Sequence, residues 1–132
     1  MMVRGIRGAT TVEENSREAI LEAAGELLSE IVRLNDLDHD HVASIVFTAT
    51  QDLNAEFPAV AARQLGWTDV ALECMAEMYV PGSLQRCVRI LMHVNTARPA
   101  RELVHVYLRG ARALRPDLVA PAEAGDGARV SG

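Results

Sequence analysis

Residues 86–94 read RCVRILMHV. Two-residue alternation sends Val88, Ile90, Met92 and Val94 to one face and Cys87, Arg89 and Leu91 to the other, the pattern of a strand with one face in a core. Arg89 therefore has apolar neighbours on its own face. A guanidinium in that setting is costly to desolvate unless an anion meets it. That anion is either a nearby Glu in a structural salt bridge or a ligand, and the pattern leaves both open.

Upstream, Pro81–Gly82 marks a turn that closes an extended segment over 70–80. On this segment Glu77 shares a face with Met75 and Tyr79, while Cys74 lies opposite with Leu72 and Ala76. In a regular strand these two cannot serve one pocket in one subunit, but they can share a pocket between subunits. A surface Glu and a core Cys are the alternative. Downstream, past a polar link around Pro99, residues 104–109 read as a further strand. Val104, Val106 and Leu108 face its core, and His105, Tyr107 and Arg109 face away. A tyrosine there either donates to a carboxylate or lies amphipathically at the surface.

Toward the N-terminus, residues 43–50 read as a buried strand, and Pro58 and Gly66 fit the first turn and the C-terminal cap of a short helix. Asn15 with Glu18 three positions on gives a capping-box pattern. Behind it, Ile20, Ala23, Ala24, Leu27, Leu28, Ile31 and Leu34 form one apolar stripe at helical period. His39 and His41 fall in the polar turn NDLDHDH and read as solvated. Residues 2–12 read as a strand, with Gly5 and Gly8 where a neighbour can approach the backbone closely. Arg7 shares a face there with Val3, Gly5 and Ala9, although an exposed edge-strand charge is the other reading. The expected fold class is α/β (α+β): one mixed five-stranded sheet with helices on one face, over residues 1–116. From Pro116 the composition turns to Pro, Ala, Gly and charge, so 117–132 are expected to form a flexible tail.

The chain has 132 residues, 49% of them hydrophobic, enough for one domain to bury roughly two thirds of its unfolded surface. Its net charge of −5 gives no case for nucleic acid or an anionic membrane as partner. All 13 basic residues are Arg, a side chain whose planar fork binds carboxylates in pairs of hydrogen bonds. Cys74 and Cys87 have neither metal-ligand spacing nor a disulfide framework, and read as reduced thiols in a cytoplasmic protein. The start shows no signal peptide, and no apolar run reaches the ~20 residues of a membrane span. No GxSxG, P-loop, GxGxxG, HExxH or CxxC occurs, and neither metal nor cofactor is expected. Nothing nominates a nucleophile or general base, so any enzyme here should run a chemistry that needs neither.

Four stretches carry a resemblance: MMVRGIRGATTVEE (1–14), TATQDLNAEFPAVAARQLGW (48–67), CMAEMYVPGSLQRCVRIL (74–91) and VHVYLRGARALRPDL (104–118). Together they resemble the trimeric α/β class of chorismate mutase (the AroH class), in order and at matching separations over nearly all of residues 1–118. The resemblance implies a homotrimeric pseudo-barrel with an active site at each subunit interface. It implies the pericyclic rearrangement of chorismate to prephenate in aromatic amino acid biosynthesis, a unimolecular step in which charge separates as the ether bond breaks. By the same resemblance Arg89 donates to the ether oxygen, Arg7 and Tyr107 hold a substrate carboxylate, and Glu77 accepts from the ring hydroxyl. Cys74 contacts that hydroxyl region from the neighbouring subunit, where Phe57, Ala59 and Arg63 also line the pocket. Leu114 and Arg115 match the segment that closes over the ligand.

Two pocket-side positions depart from the family pattern. Val60 stands where a Lys often sits near the entrance, and Glu73, beside Cys74, where a small hydroxyl residue is usual. Losing a cation and gaining an anion near a dianionic ligand implies weaker capture with the chemical step preserved. The competing readings are an imine or enamine deaminase on the same trimeric fold and a non-catalytic trimer that binds a metabolite. The residues Arg7, Glu77, Arg89 and Tyr107 favour the mutase.

Overall fold

Strand β4 (Cys87–Thr96) occupies the middle of a five-stranded sheet. β1 (Met2–Thr11) and β2 (Val42–Ala49) flank it, both antiparallel to it. β3 (Ala71–Ala76) pairs parallel to β2, and the two-residue β5 (Val106–Tyr107) pairs parallel to β1, giving the order β3-β2-β4-β1-β5. The mixed sheet expected from the sequence is thus present. The computed structural model describes residues 1–114. Arg115 and the expected tail over 117–132 lie outside the described residues.

A parallel pair cannot be joined by a tight hairpin. The link from β2 to β3 carries the short helix α2 (Ala59–Gln64), preceded by Pro58 and followed by Gly66 at a φ of 94°. The long helix α1 (Arg17–Asn35) links β1 to β2 and lays its apolar stripe on the same face of the sheet from Ile20 to Ile31. Leu34, expected in the stripe, is exposed, and Asn35 is buried in its stead. Leu27, Leu28 and Ile31 pack there against Ile6, Ile45, Phe47, Ile90 and Met92. Gly8 permits the close approach. A Cβ at that position would lie 2.8 Å from Ile31 Cδ1 and 3.1 Å from the Val106 carbonyl oxygen.

Five further expectations are corrected. The α1 N-cap is Ser16, whose Oγ accepts from the Ala19 N–H. Asn15 instead accepts from the Asn54 and Ala55 N–H groups, tying the start of α1 to the loop after β2. The third extended segment leaves the ladder at Ala76, before the Pro81–Gly82 turn. The fifth strand is limited to Val106–Tyr107, and Arg109 does not follow Tyr107. At a φ of 52°, Arg109 turns to the helix side and pairs with Glu26 of α1 at 3.0 Å. His39 is half-buried and stacks on the buried Trp67, ring centroids 3.6 Å apart, whereas His41 is exposed as expected.

Asn35 fastens the end of α1 to the segment before β5. Its buried side chain donates to the Ile31 and Val104 carbonyls at 2.9 Å each and accepts from the Val104 N–H at 2.7 Å. Truncation would strand both Val104 backbone groups without partners. Asn35→Ala is expected to lower stability by about 2–3 kcal/mol, read as a lower urea midpoint at unchanged slope.

Candidate active site

The sheet face away from the helices carries Val3, Arg7, Val46, Thr48, Arg89 and Leu91. Pairing registers place these side chains in rows. One row runs Met75, Thr48, Arg89, Ala9, Tyr107, and the next runs Glu73, Val46, Leu91, Arg7. Ala9 offers only a methyl between Arg89 and Tyr107, so the larger side chains border open space. That space is a cavity of about 260 Å³, bounded by Arg7, Thr48, Glu77, Arg89 and Tyr107 over a floor that includes Ala9 and Leu91. Four of the residues singled out by sequence therefore meet in one place, brought there by three strands and the segment just after β3.

Arg89 is about one quarter exposed, and its Nε lies 3.1 Å from Glu77 Oε2. The Nε–H nevertheless has no aligned acceptor among the described residues. The contact is an ion pair by proximity, without a directed hydrogen bond of its own. Both readings of Arg89 hold at once: it has the Glu partner of a structural salt bridge, and it faces a cavity. The other Glu77 oxygen accepts from the Thr48 hydroxyl at 2.5 Å. With two guanidinium groups and one carboxylate formally charged, the cavity suits an anion. Tyr107 is buried against Ala9, Cys87 and Ala111, with Leu114 packed alongside. Burial pushes the Cys87 thiol up to about 11 against the opposing pull of Arg89, so this sulfur stays protonated and takes no part as an anion.

The remaining candidates lie elsewhere in the protomer. Cys74 is half-buried and packs against the helix-side core. Together with Phe57 it borders a second cavity of about 400 Å³ between β3 and the loop before α2. Burial raises the Cys74 thiol, opposed by the Ala59 backbone and by Arg63. Ala59 is buried at the start of α2, whereas Arg63 and Glu73 are exposed and Val60 is half-buried. Phe57 is 67% exposed, far more than an aromatic ring needs for its own fold. The backbone N–H of Phe57 and then the Arg17 guanidinium lower the Glu56 carboxyl, which fixes the loop bearing that ring. The alternation reading separated Glu77 from Cys74, and the protomer does so. Sequence reasoning missed Thr48. Its signal was a hydroxyl in mid-strand, two residues from Val46 on the face that β2 shares with Arg89.

Fold and cavity together define a small mixed-sheet protein with a cavity suited to an anion on the sheet face that the described residues leave uncovered. The chain belongs to the chorismate mutase type I family, whose model matches residues 3–118. It is 47% identical over 119 residues to the chorismate mutase AroH of Bacillus subtilis, covering 89% of this chain and 94% of that one. It is 50% identical over 118 residues to that of Thermus thermophilus, covering 89% and 97%. The solved structure of a chorismate mutase from Clostridium thermocellum matches with a TM-score of 0.82 at 50% identity, over 83% of this chain and 98% of that one. The activity of the family is that of an isomerase acting on chorismate.

Proposed function

We propose that this chorismate mutase turns chorismate into prephenate in a site completed between subunits of a homotrimer. The observation that carries the reading is the convergence of Arg89, Arg7, Glu77 and Tyr107 on one cavity. The rearrangement breaks the ether C–O bond and forms a C–C bond within one molecule. No proton is transferred, and negative charge grows on the ether oxygen. Arg89 stabilises that charge, a preorganised cation aimed where charge develops. Arg7 and Tyr107 hold a carboxylate so that the side chain folds over the ring in its reactive arrangement. Glu77 accepts from the ring hydroxyl. Phe57, Ala59, Arg63, Glu73 and Cys74 of a neighbour form the other wall, and Leu114 and Arg115 close over the ligand.

Two features favour assembly. Val3, Leu91 and Met75 stand 60%, 40% and 54% exposed on the uncovered sheet face, the kind of apolar surface that subunit contact covers. The separation of Glu77 from Cys74 also leaves one protomer with two incomplete halves. The reading places the enzyme in the cytoplasm, where both free cysteines stay reduced.

The test follows loss of chorismate by its ring absorbance, with prephenate identified as product. Turnover well above the spontaneous rearrangement is expected, and a folded trimer that adds nothing to the spontaneous rate sinks the reading. The anion beside Cys74 gives a smaller expectation. Glu73→Thr should lower KM by about twofold to fivefold with kcat unchanged, an effect that shrinks as salt is added. An unchanged KM at low salt removes the electrostatic argument.

A further inference from the structure

The ordered strand ends one residue before Glu77. β3 stops at Ala76, and the Glu77 N–H then donates to the Ala49 carbonyl at 2.9 Å before the chain departs toward the Pro81–Gly82 turn. A long carboxylate on a departing segment has rotamer freedom that the ladder does not restrict. Its ion pair with Arg89 does not remove that freedom, because the Nε–H is not aligned on the carboxylate. The geometry of Glu77 must therefore be set from another side.

Thr48 is placed to set it. It lies in mid β2, directly opposite Arg89 in the β2–β4 pairing, and borders the same cavity. Its hydroxyl donates to Glu77 Oε1, while Oε2 faces Arg89. Branching at Cβ restricts threonine χ1, so the strand itself fixes where this hydroxyl points. The hydroxyl fixes the carboxylate, and with it the place of the negative charge 3.1 Å from Arg89 Nε. We infer that Thr48 is a positioning residue of the rearrangement, holding Glu77 so that its charge stays on the Nε side of Arg89 and the terminal nitrogens are left for the reacting ether. The inference rests on the reading above that chorismate is turned over in this cavity.

The test compares Thr48→Val, Thr48→Ala and Thr48→Ser with the wild-type chain in steady-state turnover of chorismate, each variant first checked for its melting midpoint. Loss of a hydrogen bond to a charged group should lower kcat by about tenfold to a hundredfold in the Val and Ala variants. KM should stay within about twofold, because orientation of Arg89 matters most where charge develops. Thr48→Ser, which keeps the hydroxyl, should recover most of kcat. If the Val variant does not fold, the Ala variant carries the comparison. Wild-type kcat without the hydroxyl overturns the role, as does a change confined to KM. Equal losses in the Ser and Val variants also overturn it, since they point to packing. A wild-type chain without turnover overturns the reading of the site and this role with it, whereas an active wild type matched by Thr48→Val overturns this role alone.

Discussion

Replacing Arg89 with Ala is expected to lower kcat/KM for chorismate by about a thousandfold or more, about 4 kcal/mol of transition-state stabilisation. Removing one neutral oxyanion donor from an enzyme already costs on the order of 10²–10³ in kcat. Arg89 carries a full charge, and at about one quarter exposure it works where water screens less than in bulk. Most of the loss should fall on kcat, since the ether oxygen gains charge only as its bond breaks. Arg89→Lys keeps the charge but not the planar fork and should fall between the two. The melting midpoint should move little, because the side chain lies on the face away from the helix-packed core. Near-wild-type turnover by Arg89→Ala would leave the activity in place and overturn the mechanism.

Part of that loss comes from what truncation leaves behind. Glu77 would remain beside the cavity without its cation, facing a ligand with two carboxylates. Adding Glu77→Gln to Arg89→Ala should therefore cost less than the two single losses combined, a coupling that steady-state rates for the four proteins measure directly.

Period and punctuation made most of the fold legible. The apolar stripe of α1 and the alternation of β4 each recur often enough to fix both the element and its buried face. Failures occur where a single contact decides the local structure. Ser16 displaces Asn15 as the cap because Asn15 has backbone partners 39 and 40 residues away. Alternation fails at Arg109 because a positive φ and the Glu26 partner on α1 turn it to the helix side. His39 gives no sign in its polar neighbourhood of the indole it covers. At the site, alternation isolated Arg89 and separated Glu77 from Cys74, but it could not choose between a salt bridge and a ligand for Arg89. Thr48 escaped for a related reason. A threonine in a strand is ordinary, and only the register of β2 on β4 and the path of the chain after β3 make this one a neighbour of Glu77.

Separation of the two halves within a protomer leads to the second large effect, a restoration of activity by mixing inactive chains. Arg89→Ala damages the wall formed by Arg7, Glu77, Arg89 and Tyr107. Arg63→Glu places a carboxylate on the exposed α2 position near Cys74 and should repel the dianionic ligand, lowering kcat/KM on the order of a hundredfold. Each variant alone should be nearly inactive. If the protein is the proposed trimer and each site takes one wall from each of two neighbours, trimers assembled at random from equal amounts of both variants contain sites with both walls intact. A site needs its first wall from an Arg63→Glu chain and its second from an Arg89→Ala chain, so about one site in four is whole. Isolated mixed trimers, freed of both parental forms, each hold about one whole site in three. Co-expression of two differently tagged chains, isolation of mixed trimers and assay against chorismate should then return about a third of the wild-type rate, far above either parent. A site contained within one protomer predicts the opposite. Every chain would carry its own lesion, and the mixture could do no better than the average of two nearly inactive proteins.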